Sequence, residues 1–165
     1  TDGNAVLPNR PVMDVAIDVV DAGDPSAGAV GYAALGGFDQ NTPSTPRHVY
    51  QVTCQNNCTT YTWRNVSGGL PNIPANAVAV NPLIPNQVYV GTDWGLYYTD
   101  DVSASTPVWY RFEGGLPHVM IWDMAIDRGF STLAIFTRGR GVWAWPLPSG
   151  PVDIIFQDGF DPPSQ

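Results

Sequence analysis

Short apolar runs alternate along the chain with clusters of Gly, Pro, Asn, Asp and Thr, the pattern of strands broken by turns. The runs recur in a fixed order. Gly68-Gly69-Leu70-Pro71 returns as Gly114-Gly115-Leu116-Pro117, and a third Leu-Pro stands at Leu7-Pro8. At one offset from each Leu comes a matching triplet: Ala16-Ile17-Asp18, Ala79-Val80-Asn81 and Ala125-Ile126-Asp127. A turn and a second apolar run follow each triplet, at Val30–Leu35, Val88–Thr92 and Leu133–Thr137. The third runs are His48–Val52, Gly95–Thr99 and Gly141–Trp145. The first two units end in Trp-bearing segments, Tyr61–Asn65 and Trp109–Phe112.

Each unit therefore predicts four short strands. Four-strand units repeating at roughly 40–50 residues are the sequence sign of propeller blades. The expected fold is all-β, about three four-stranded blades of a larger ring or half of a six-bladed dimer. Residues 1–11 read as a lead-in, and 12–67, 68–113 and 114–148 as the blades. The third is incomplete and is finished by 152–156 or by another chain; 149–165 form a tail. Two turn-rich stretches in the first unit, 21–28 and 36–47, read as loop insertions. One blade cannot bury both its faces, so blades stack on neighbours. Three alone would leave two apolar faces open. The expected partner is the remainder of the ring or a second copy of the chain.

Composition supports strands over helices. Only 13% of residues are charged, Lys is absent, and Glu113 is the single Glu, so no helix could carry a charged outer face. The net charge of −8 removes the basic footprint that nucleic acid requires, and disfavours an anionic membrane surface. No run reaches the length of a membrane-spanning helix. The abrupt start at Thr1 reads as a mature or proteolysed product. Cys54 and Cys58 lack the His or second Cys pair of a metal site and read as a disulfide across a hairpin tip, which implies an oxidising, secreted or periplasmic setting.

The Leu-Pro and Ala-Val/Ile-Asp/Asn pattern, with Val88-Tyr89-Val90-Gly91-Thr92-Asp93 and Gly95-Leu96-Tyr97-Tyr98-Thr99-Asp100-Asp101 before Trp109, resembles the Asp-box (BNR-repeat) propellers. These include sialidase-like, sortilin-like and xyloglucanase-like proteins. The resemblance covers about residues 7–148. The box itself is degraded: Thr99-Asp100-Asp101 keeps its start, its Gly is missing, and Trp109 is distant. In the first unit the two cysteines stand where the box would turn. The resemblance implies that these residues are structural. The tail around Asp158-Gly159-Phe160 resembles short endings of secreted gammaproteobacterial proteins.

Candidate binding residues fall on loops that a propeller gathers on one face: Asp93, Trp94, Arg138 and Arg140 from one loop type, Trp122 and Asp123 from the other, with Asp39 and His48 beside them. Trp94 and Trp122 suit stacking on sugar rings, or packing between blades. Arg138 and Arg140 suit a carboxylate or sulfate clamp, or ion pairs with nearby Asp. Asp93 and Asp123 are a conceivable acid pair, which glycoside hydrolysis would need at about 5–9.5 Å. His118 reads as a solvated loop residue. No nucleophile triad, phosphate loop or metal cluster appears, and no cofactor is expected. The sequence reading is a non-catalytic glycan- or protein-binding scaffold. The alternatives are part of a propeller glycoside hydrolase and an appendage of a secreted hydrolase.

Overall fold

The computed structural model describes residues 6–18, 28–55, 58–127, 129 and 131–148. Those residues form three antiparallel sheets in chain order. Sheet A holds β1 (Val12–Asp18), β2 (Ala29–Leu35), β3 (Val49–Gln55) and β4 (Thr60–Asn65). Sheet B holds β5 (Ala75–Val80), β6 (Val88–Thr92), β7 (Gly95–Thr99) and β8 (Tyr110–Arg111). Sheet C holds β9 (Ile121–Ile126), β10 (Thr132–Thr137) and β11 (Val142–Pro146). Each strand pairs with its neighbour in sequence, so each sheet is a meander. The residues 152–156 expected to finish the third unit lie outside the described residues.

The sheets stack through their first strands. β5 lies between β1 and β9, and its residues alternate accordingly. Val78 and Val80 pack toward sheet A with Tyr32, Ala34, Val49 and Trp109. Ala77 and Ala79 pack toward sheet C with Ile121, Met124, Leu133 and Ile135. A strand covered on both faces is mostly apolar, and β5 is Ala and Val apart from Asn76. We call the face toward the next sheet in sequence the forward face and the other the back face. Gly91 keeps the B–C contact close, because a Cβ there would fall 2.6 Å from the Ile121 side chain.

Polar ties cross both interfaces. Asp14 Oδ2 of β1 accepts the Val78 N–H of β5 at 2.8 Å. The Trp109 indole donates to the Val66 carbonyl at 3.0 Å. Arg64 spends its guanidinium on Gln51 Oε1 and on the carbonyls of Val102, Ser103 and Ala104, so β4 grips the long β7–β8 loop. Asn76 donates to the Ile121 carbonyl across the B–C interface at 3.2 Å.

The two ends of the stack are open. On the back face of sheet A, Val15 and Ile17 are 64% and 69% exposed. On the forward face of sheet C, Asp123, Ala125, Val142 and Ala144 are exposed. The 36–48 insertion covers one end of sheet A: Tyr50 donates its hydroxyl to Pro46 O, and Leu35 and Tyr50 are buried. Cys54 and Cys58 form a disulfide across the β3–β4 hairpin, as the spacing predicts. No helix among the described residues is long and apolar enough to cross a membrane.

Candidate functional site

All three first strands carry an irregularity at the same repeat position. Pairing with the second strand slips over Met13, Asn76 and Trp122, each six residues past its Leu. A bulge leaves one residue out of the ladder and re-aims its side chain. Here the three re-aimed side chains converge, with Met120, on one hollow of about 180 Å³. Asn76 is fixed in it. Its Nδ2 donates to Asp93 Oδ1 at 2.8 Å and to Ile121 O, which leaves Oδ1 as the acceptor. The walls are otherwise thioether and indole, an adaptable apolar lining.

The β6–β7 and β10–β11 turns border the same end of the stack. Trp94, in the first turn, is 56% exposed and its ring lies 6.2 Å from that of His118. Trp122 is 63% exposed. Neither Trp is consumed by packing between sheets; the buried indole at such a contact is Trp109 instead. Arg138 is anchored by its backbone N–H on Met120 O at 2.9 Å, and Arg140 O accepts the Trp143 indole N–H. Ion pairs among the described residues involve Arg10, His48 and Arg111, so both exposed guanidinium groups of the β10–β11 turn are unpaired there.

The two candidate acids differ in setting. Asp93 is half-buried and accepts from Asn76, with its own N–H on Pro74 O. Asp123 is exposed on the forward face of sheet C and caps the Met124 N–H at 2.7 Å. No described hydrogen bond joins them. No group of three or more His, Cys, Asp or Glu is placed to hold a metal among the described residues.

Asp39 and His48 belong to a buried node that the sequence only half revealed. Arg10 Nη1 lies 3.3 Å from His48 Nδ1, which is also 3.4 Å from Leu35 O, and His48 Nε2 lies 3.2 Å from Asn72 Oδ1. Asp39 Oδ1 lies 3.7 Å from Arg10 and 3.5 Å from His48, and accepts the Arg47 N–H. Arg10 also donates to Arg47 O. Arg10 and Asn72 sit near the Leu-Pro pairs, three and two positions past Leu7 and Leu70 respectively, so the recurring motif marked their neighbourhood without naming them. The bulge residues share one offset as well, a signal that a count from each Leu would have found. No protein-family model matches the chain, and no curated protein matches it.

Proposed function

We propose that the chain is a three-blade stretch of a secreted Asp-box-type β-propeller, serving as a non-catalytic scaffold that binds glycan at its loop end. The observation that carries the reading is the repeated stacking. Three successive meanders pack first strand on first strand in one direction, and the same bulge position of each supplies the end hollow. The disulfide fits an oxidising compartment. Exposed Trp94 and Trp122 beside the hollow offer flat apolar faces for sugar rings.

The same stacking supports a role for the open faces. Asp123 holds in sheet C the repeat position that Asp14 holds in sheet A, seven residues past its Leu. Asp14 ties to Val78; the first-unit counterpart of Val78 is Val15, on the open back face. Another blade, from a second copy or from the rest of the ring, would complete the same tie at Asp123.

Soluble β-glucan oligosaccharides titrated against the intrinsic Trp fluorescence test the binding reading. Loss of one stacked aromatic should weaken affinity by about tenfold, so Trp122→Ala and Trp94→Ala are each expected to do so. Absence of binding by the unaltered chain contradicts it. Release of new reducing ends would favour the hydrolase alternative, with Asp93 and Asp123 as the groups to replace.

A further inference from the structure

The last residue of the recurring triplet holds one place in every unit, just where the first strand ends. In two units it braces the following turn. Asp127 accepts the N–H groups of Thr132 at 2.6 Å, Ser131 at 2.7 Å and Gly129 at 3.0 Å. Those bonds, that of Thr132 foremost, hold its carboxyl below the usual range. Asn81 accepts the Leu83 N–H at 2.9 Å and donates to Gln87 Oε1 at 2.7 Å. The turn after Asp18 lies outside the described residues. Among the described residues the Asp18 side chain has no hydrogen bond and no ion pair, and burial raises its carboxyl.

The Asp18 carboxylate lines a cleft of about 300 Å³ between sheets A and B, at the opposite end of the first strands from the two exposed Trp residues. The Tyr32 hydroxyl lines it and accepts from Gln51 Nε2 at 3.1 Å. Gln51 Oε1 is in turn occupied by Arg64, so the Arg64 guanidinium is spent there and on the 102–104 carbonyls rather than on Asp18. Val30, Pro82 and Pro85 supply apolar wall. Asn86 adds a carboxamide at the rim, held in the left-handed region at φ 65°. A half-buried carboxylate with no counterion is costly. No cation pairs with it among the described residues, and in a chain with no Lys and a net charge of −8 a cation from elsewhere would fit the place.

We propose that this cleft receives an alkylammonium or alkylguanidinium group, its charge on Asp18 and its aliphatic stem against the proline wall. The same chemistry is offered by a Lys or Arg side chain of a partner protein and by a free polyamine. Binding here is independent of the glycan reading, since the two sites lie at opposite ends of the stack.

Isothermal titration with Nα-acetyl-lysine amide, Nα-acetyl-arginine amide and spermidine tests it, with Nα-acetyl-norleucine amide as the uncharged control. At least one cation is expected to bind while norleucine amide does not. Asp18→Asn, nearly isosteric, should reduce that affinity at least tenfold. Trp94→Ala, at the far end, should leave it unchanged. Preference for the amino-acid amides points to a protein partner, and preference for spermidine to a free polyamine; either result upholds the site. Failure of all three cations, equal binding of norleucine amide, or full affinity in Asp18→Asn with an unchanged urea midpoint would each overturn it.

Discussion

Replacing Gly68 by Ala is expected to destabilise the chain by about 3 kcal/mol, as the sum of a left-handed backbone penalty and a steric clash. Gly68 has φ +47°, a conformation that costs a residue with a side chain. A Cβ there would also lie 1.9 Å from the Pro107 carbonyl oxygen. That oxygen is backbone and cannot swing aside. The glycine therefore holds the end of sheet A against the long loop of sheet B, next to the Trp109–Val66 bond. Gly69→Ala is the matched control, because a Cβ at Gly69 meets nothing within 4 Å. Urea denaturation of both variants checks the contrast. Equal losses would mean that the clash is absorbed and that Gly68 acts only through chain flexibility.

Removing Arg10 should cost a similar amount, about 3 kcal/mol, by leaving a buried charge cluster without its cation. Arg10 is buried, and it bonds His48 while sitting beside Asp39. The pH dependence distinguishes electrostatics from packing. Burial first, and then the Arg10 charge, hold His48 below its ordinary 6.5. Its folded-state value is thus depressed, so the neutral imidazole contributes stability in full above about pH 6.5. That contribution is lost as the pH falls below 6.5 through the folded value. Asp39 and the bonds to Asn72 and Leu35 oppose the shift without reversing it. The urea midpoint of the unaltered chain should be level from pH 8 to 7 and decline below 6.5. In Arg10→Ala the deficit should be smaller at pH 5.5 than at pH 7.5, because protonated His48 no longer faces a guanidinium. A deficit equal at both values would mean that Arg10 serves only to fill space.

How far the sequence foretold this arrangement depended on the kind of interaction. The Leu-Pro and Ala-Val/Ile-Asp/Asn repeats located the first strand of each unit by their constant spacing, and β5, covered on both faces, carries the fullest apolar signature. The second and third strands followed by spacing. Identical motifs nevertheless hid different backbones: in Gly68-Gly69 the first glycine takes positive φ, and in Gly114-Gly115 the second does. Trp could not be sorted by type alone. Trp109 is buried between sheets while Trp94 and Trp122 are exposed, and only the register of the turns and bulges decides which. The Arg10–His48 node joins residues 38 positions apart through side chains, and no local pattern encodes that. Asp18 was visible as part of a triplet; that its carboxyl lines a cleft between sheets A and B was not.

We propose that the open back face of sheet A and the open forward face of sheet C belong against further blades. Native mass spectrometry of the purified chain, alone and as Val15→Arg, tests this directly. The expected result is an assembly of twice the 17.8 kDa chain mass, reduced to the single chain by an arginine set into the apolar back face. A 17.8 kDa species that persists unchanged at high micromolar concentration would contradict it.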